Sequence, residues 1–390
     1  MPKRVKLTWT ATGHGEMVAS RDRGPFQYEA YVPDLVALSQ PQLPPDVGAR
    51  IERAATACVQ LDASPGIDDL EPVARLLLRA ESVASSRIEG LRLSHRRIEE
   101  ARFAPGGAKG TALSIVRNIE AMARAIELGM QPEPLSLDGV LSIHRTLMYT
   151  EGDRLIAGVL REGQSWIGGG NTPRRADFVP PPPGFVPELM EDLMAFVNRD
   201  DLPAVTQAAI AHAQFETIHP FADGNGRTGR CLIHLILRRR GLAQRVVPPV
   251  SVVLAANATK YVEGLTAFRE LDLATWCGTF ADALIVAGEQ ALELGEDIHG
   301  LKAEWLVRTG RPNKGSAARR LIDGLVGHPV VSMESARQIL NVSDEAARLA
   351  LSRLEKTEVL RQVTLGRRNR AWAAREVFEL LDAFDASVRS

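Results

Sequence analysis

Through most of this chain apolar residues return every three or four positions, the spacing that lines one face of a helix. Residues 47–61 carry Ile51, Ala54, Ala55 and Cys58 in that register. Residues 71–89 carry Val73, Leu76, Leu77, Ala80 and Val83, and run into Gly90, a residue suited to the left-handed position that closes a helix. Residues 135–148 follow, with Ser136 placed to cap the first turn, and then 202–218, with Val205, Ala209, His212 and Phe215 on one stripe. The apolar run 231–242 and the stretches 251–270 and 271–294 continue the helical pattern, with Trp276 and Phe280 as core anchors and Gly295 as the expected stop. The charged stretch 296–302 and the polar stretch 309–314 then read as a passage between domains. Residues 1 to about 25 are polar and interrupted by glycine and proline, which predicts an extended or partly disordered arm.

Strand signals are short. Residues 165–167 have strand propensity ahead of the turn Gly168-Gly169-Gly170, and Pro180 to Pro183 predict a rigid polyproline connector. From about 316 the pattern changes to three short helices, 317–325, 333–340 and 344–356, the last capped by Ser343. Two short strands, 359–365 and 371–373, flank Gly366-Arg367-Arg368-Asn369-Arg370. The expectation is a mainly α protein.

Composition narrows the classes. A length of 390 residues accommodates two or three domains, and 45% hydrophobic with 24% charged residues is ordinary for a globular chain. A formal net charge of −1 argues against general binding to nucleic acid or to a membrane surface. Cys58, Cys231 and Cys277 lie far apart without metal or redox spacing, and are expected as buried thiols in a reducing compartment. No apolar leader or membrane-length run is visible, so the expected location is cytoplasmic.

The chemistry gathers at Ile218-His219-Pro220-Phe221-Ala222-Asp223-Gly224-Asn225-Gly226-Arg227-Thr228-Gly229-Arg230. Gly224 and Gly226 can take positive φ and Asn225 tolerates it, so successive amides could form an anion nest at the start of a helix. Arg227 and Arg230, three apart, offer planar forks for phosphate oxygens on one helix face. Asp223 is placed to hold Mg2+, which takes one or two carboxylates plus substrate phosphates. His219 titrates near neutrality and can accept a hydroxyl proton. The string Gly224-x-Gly226-x-x-Gly229 also fits a dinucleotide fingerprint, but the preceding stretch has a helical rather than a strand period. His144, His212 and His234 are read as packing or surface residues rather than ligands, and no metal site is expected at His212 and His219.

His219-Pro220-Phe221-x-Asp223-Gly224-Asn225-Gly226-Arg227-x-Gly229-Arg230 resembles the signature of Fic (Fido) domains at every fixed position. The resemblance implies a protein adenylyltransferase that moves AMP from ATP to a Ser, Thr or Tyr hydroxyl of a target protein, with pyrophosphate leaving. It makes His219 the base, Asp223 the Mg2+ ligand, the Gly224, Asn225 and Gly226 amides the phosphate cradle, and Arg227 and Arg230 the β- and γ-phosphate ligands. Gly224 and Gly226 disfavour the phosphate-transferring Doc branch. Ser85-Ser86-Arg87-Ile88-Glu89-Gly90 resembles the family's inhibitory motif, which implies that Glu89, with Ser85 on the same helix face, pairs with Arg230 and fills the γ-phosphate place. Gln164, Ser165, Trp166, Ile167 and Gly168 resemble the family's flap, a small β-hairpin that docks a target segment by strand addition.

The expected architecture is therefore an N-terminal arm and helical region carrying the inhibitory helix (1–105), a helical Fic core (106–300) and a linker with a winged helix (301–390). Arg367, Arg368 and Arg370 on the wing favour DNA contacts, whereas Asp344, Glu345, Glu355 and Glu358 favour a protein-docking or structural role, so both stay open. AMP removal by a water positioned at Glu89, transfer of another nucleotide or of phosphocholine, and a DNA-bound nucleotide sensor are the rival functions. Auto-modification and a homodimer, but no membrane, complete the expected partners.

Overall fold

The computed structural model describes residues 2–10, 24–64, 70–103, 107–149, 153–365 and 369–388. In chain order its elements begin with strands β1 (Lys3–Trp9) and β2 (Phe26–Val32) and helices α1 (Pro45–Ala63), α2 (Leu70–Ile88), α3 (His95–Arg102) and α4 (Gly110–Gly129). Helices α5 (Leu137–Leu147), α6 (Val186–Val197), α7 (Ala204–Ile218) and α8 (Asn225–Arg239) carry the motif region. Helices α9 (Val250–Ala256), α10 (Ala258–Arg269) and α11 (Leu273–Arg308) follow. The chain finishes with α12 (Ala317–Leu325), β3 (Val330–Ser332), α13 (Met333–Leu340), α14 (Asp344–Lys356), β4 (Arg361–Leu365), β5 (Asn369–Ala373) and α15 (Arg375–Ser387). The protein is mainly helical, as expected.

Packing divides it into two units that are interleaved in sequence. The first comprises Met1–Ile51, Arg124–Arg240 and Val262–Gly278, and the second Glu52–Ala123, Gly241–Tyr261 and Thr279–Ser390. Helices α1, α4, α10 and α11 thus contribute residues to both.

In the first unit α7 and α8 form the centre. Every residue from Val205 to Ile218 is buried, as is every residue of α8 from Asn225 to Arg238. Small residues at Ala208, Ala209, Ala211 and Ala213 leave α7 slim enough to be surrounded. Trp276 is fully buried, as expected of a core anchor, and its indole N–H donates to the Ala209 carbonyl at 2.8 Å within this unit; Phe280, the other expected anchor, is fully buried but belongs to the second unit. The described part of the expected extended or partly disordered arm is extended, as a paired strand: β1 pairs antiparallel with β2, from Lys3 opposite Val32 to Trp9 opposite Phe26. Val5, Leu7 and Trp9 alternate with polar residues, and this period-two pattern overrides the glycine and proline around it. Residues 11–23 of that arm lie outside the described residues.

The second unit buries the stripe of α2, Val73, Leu76, Leu77, Ala80 and Ala84, in one core with Leu321 and Leu325 of α12, Leu354 of α14 and Leu381 of α15. Beside this core β3, β5 and β4 form a three-stranded antiparallel sheet in that spatial order. The two later strands were expected within two residues of their observed bounds; β3, three residues long, has too short a pattern to read. Two expectations are corrected here. Gly295 does not stop α11, which runs to Arg308, so 296–302 is helix rather than an interdomain passage. A helical glycine costs about 1 kcal/mol, whereas burying Ile298 and Trp305 on the stripe of Ala291 and Leu294 stabilises the continuation by about 1.5–3 kcal/mol per side chain. The expected single helix 251–270 is broken at Asn257, whose φ of −119° and ψ of 50° separate α9 from α10.

Cys58, Cys231 and Cys277 are free and buried. Burial pushes the Cys58 and Cys277 thiols up to about 12, so both are inert packing residues. Among the described residues no helix is long and apolar enough to cross a membrane.

Candidate active site

The site lies wholly in the first unit, at the corner between α7 and α8. His219 follows the last residue of α7 and precedes Pro220, whose ring disfavours helix at the residue before it. His219 therefore turns left-handed, with φ 51° and ψ 60°, while its N–H still donates to the Phe215 carbonyl at 2.9 Å. A side chain in that conformation costs about 1–2 kcal/mol. The turn must therefore be held from outside.

Three side chains hold it. Asn225 uses its carboxamide twice on one residue, accepting the Phe221 N–H and donating to the Phe221 carbonyl, both at 2.8 Å. His144 of α5 stacks flat on the Phe221 ring, 3.7 Å between centroids. Its Nδ1 accepts the Gly158 N–H at 2.9 Å, which leaves Nε2 to donate to the Asp223 carbonyl, also at 2.9 Å. Burial drives the His144 imidazole down to about 4, so it stays neutral and keeps that tautomer. Arg161 donates from Nε to the carbonyl of His219 at 2.7 Å and from Nη2 to that of Ile218 at 3.3 Å. Its own N–H donates to the Pro220 carbonyl at 2.9 Å.

Gly224 then turns the chain into α8. Its φ is 76°, and a Cβ there would lie 3.0 Å from the Met148 sulfur and 3.2–3.3 Å from Leu147 and His144, so conformation and space both require glycine. The expected nest is corrected in one respect: Gly226 is already helical, and α8 begins at Asn225, not at residue 231. The anion-facing amides are accordingly those of the first turn, 225–227, ahead of the first intrahelical bond from Thr228 N–H to the Gly224 carbonyl. They carry the positive end of the helix dipole. The apolar period misses this start because six of the first residues of α8 are polar or glycine.

Arg227, in that turn, and Arg230, in the next, are buried, 7% and 1% exposed. Asp223 keeps an exposed carboxylate whose Oδ1 accepts the Gly224 N–H at 2.6 Å. At 4.0 Å from Arg227 it is a weak tether. One exposed carboxylate beside amides and guanidiniums suits a Mg2+ that arrives with phosphates rather than a resident metal. Behind the corner His212, also of α7, is fully buried; desolvation and the Arg230 charge drive it down to about 3, which keeps it neutral.

The flap residues form a single antiparallel bridge rather than a regular hairpin. Ile167 donates to the Phe178 carbonyl and accepts from Asp177, both at 2.8 Å. Gln164 Nε2 donates to the Pro180 carbonyl at 2.9 Å, and the Trp166 indole donates to the Gly170 carbonyl at 2.8 Å. Aromatic support replaces strand length here: Trp9 of β1 meets Trp166 edge-on at 5.4 Å, and the Arg269 guanidinium lies 3.8 Å over Phe178. Arg161, unremarked in the sequence, reaches both the flap and the His219 turn.

Ser85 and Glu89 belong to the second unit. Ser85 is buried in α2, and Glu89 is exposed just past the helix end. That end closes with Gly90 at φ 80°, the Gly90 N–H donating to the Arg87 carbonyl and the Leu91 N–H to that of Ser86, each at 3.0 Å. This is the Schellman pattern. Asn118 of α4 donates to the Ser82 carbonyl at 2.8 Å and to the Ser86 hydroxyl at 3.0 Å, and Arg87 pairs with Asp385 of α15. In the C-terminal region Arg367 and Arg368 lie outside the described residues. The acids of α14 are engaged locally, Glu345 with Arg348 at 2.6 Å and Glu355 with the Trp372 indole at 3.1 Å.

Residues 134–237 match the profile of the Fic/DOC family. Protein adenylyltransferase fic-1 of Caenorhabditis elegans is 32% identical over 137 residues, 34% of this chain and 24% of that protein. Protein adenylyltransferase Fic of Drosophila virilis is 29% identical over 191 residues, 48% of this chain and 36% of that protein. The crystal structure of a Fic family protein from Desulfovibrio desulfuricans G20 shares the fold, with a TM-score of 0.55 at 23% identity over 86% of this chain and 98% of that one. The match therefore spans between a quarter and just over a third of the curated relatives' length.

Proposed function

Because residues 134–237 are a Fic/DOC domain, we propose that this protein transfers AMP from ATP to a Ser, Thr or Tyr hydroxyl of a target protein. The observation that carries this reading is the α7–α8 corner, where a left-handed His219 closes one helix and lies six residues before a second helix whose first two turns carry the amides of 225–227 and the buried Arg227 and Arg230. The triphosphate is taken by the amides of 225–227 and the two guanidiniums, and Asp223 holds Mg2+, which neutralises charge on the phosphates. His219 accepts the proton of the target hydroxyl. Its oxygen forms a bond to the α-phosphorus as the bond from that phosphorus to the bridging oxygen breaks, and pyrophosphate leaves with the electron pair. The flap residues Gln164 to Gly168 hold the target backbone by strand addition. Glu89, just past the closed end of α2, is the residue we assign to restrain the reaction.

Intact mass spectrometry of the Glu89→Gly protein with each nucleoside triphosphate tests this. The expected result is the mass of AMP added with ATP alone, more than in the unmodified chain and absent in Glu89→Gly/His219→Ala. No added mass from any triphosphate would overturn the reading, and addition without a Glu89 effect would remove the restraint.

A further inference from the structure

Arg161 is an unusual guanidinium. It is 6% exposed, and its donors go to main-chain carbonyls from two separate stretches. Toward the motif it holds His219 and Ile218; toward the flap, Nη1 donates to Gly163 at 3.0 Å and Nη2 to Pro181 at 2.6 Å. Gly163 and Pro181 are the two feet of the flap, on either side of the Ile167–Phe178 bridge. The backbone adds a parallel link, from the Arg161 N–H to the Pro220 carbonyl. Burial lowers the guanidinium to about 10, still well above neutrality, so it remains charged and able to hold four dipoles. A lysine has three donors on one point and cannot span the two feet and the turn with the same geometry.

We propose that Arg161 is a positioning residue that sets the spacing between the flap edge and the His219 imidazole, and thereby favours a protein hydroxyl over water as acceptor of AMP. This rests on the AMP-transfer reading. Water needs no flap register, since it diffuses to the position in line with the leaving pyrophosphate without a backbone to dock; a protein hydroxyl needs the flap and the base in fixed relation. A displacement of about 1 Å of such a pair costs on the order of 10²-fold in rate. The phosphate cradle hangs on Asn225, Gly224 and α8, none of which Arg161 bonds among the hydrogen bonds above, so nucleotide affinity is outside its reach.

The test uses the full chain in the Glu89→Gly background with ATP. Protein-bound AMP is read by intact mass, free AMP by chromatography and ATP affinity by calorimetry, for Arg161, Arg161→Lys and Arg161→Gln. The expected result is a loss of about 10²-fold in protein-bound AMP, a smaller loss of free AMP so that the ratio of free to bound rises at least about tenfold, and ATP affinity within a few-fold of the parent. An unchanged ratio in either variant that still binds ATP overturns the assignment. Loss of ATP binding in both variants also overturns it, since Arg161 would then be a general support of the fold. If the Glu89→Gly parent adds no AMP at all, the transfer reading falls and takes this inference with it.

Discussion

The two helix ends that carry the candidate chemistry are built in opposite ways. Helix α7 ends on His219, a side chain forced left-handed and held by Arg161 and by the neighbouring Asn225 and His144. Helix α2 ends on Gly90, which takes the same conformation without strain, and leaves Glu89 exposed on an ordinary Schellman close. The contrast teaches where rigidity is concentrated. The proposed base sits on a strained turn over-determined by buried polar contacts, as strain at working sites requires. The proposed restraint sits on a low-strain end that glycine closes without help from outside.

The sharpest break of this comparison is His219→Ala. It should lower AMP transfer by about 10²–10⁴-fold in the Glu89→Gly protein, with ATP affinity by calorimetry little changed; equal loss in both would make His219 a phosphate ligand rather than a base. Arg230→Ala comes next. Losing a charge-assisted contact to the triphosphate should weaken ATP binding by about 10–150-fold, read by calorimetry.

Acid separates the two ends more gently. His144 is held near 4 against an ordinary 6.5, so the stability it confers is complete above about pH 6.5 and is lost as pH falls toward 4. Urea midpoints across that window should drop, and His144→Gln should remove a slope approaching 1.4 kcal/mol per pH unit, roughly that of one proton. Asp385 behaves differently. Burial raises its carboxyl, but the hydrogen bonds and charges of His95 and Arg87 outweigh this and hold it below 3.8. Its contribution persists above that value and is lost only as pH falls further, so Asp385→Asn should flatten the dependence of the urea midpoint below about pH 4. The smallest effect is expected from Gly90→Ala, a loss of about 1–2 kcal/mol in denaturant unfolding, with a modest rise in AMP transfer as the Glu89 end loosens.

Much of the architecture was readable because long amphipathic helices declare themselves: α2, α5, α7, α12, α13 and α14 lie where the three-to-four-residue period put them. The motif was readable as chemistry because its residue types sit side by side. What stayed hidden was whatever depends on contacts between distant segments. His144 and Arg161 look like any histidine in a helix and any arginine in a loop; their bonds to Asp223, His219 and Pro181 join residues 20 to 79 positions apart. The start of α8 was hidden by its polar residues, whose burial follows from the packing around α7 rather than from any local period. Strand β1 was obscured by a flexible-looking composition, and the long α11 by a glycine that burial overrides.

The indole of Trp276 has one more bearing, on how the protein can be dissected. It lies well downstream of the matched 134–237 stretch, yet it packs on α7 and donates to the Ala209 carbonyl, midway along that helix, from within the same unit. A fragment cut to the family boundary would keep every motif residue and still carry a hole the size of an indole beside the helix that presents the histidine. Loss of activity on such trimming would report that hole, and would say nothing about the chemistry.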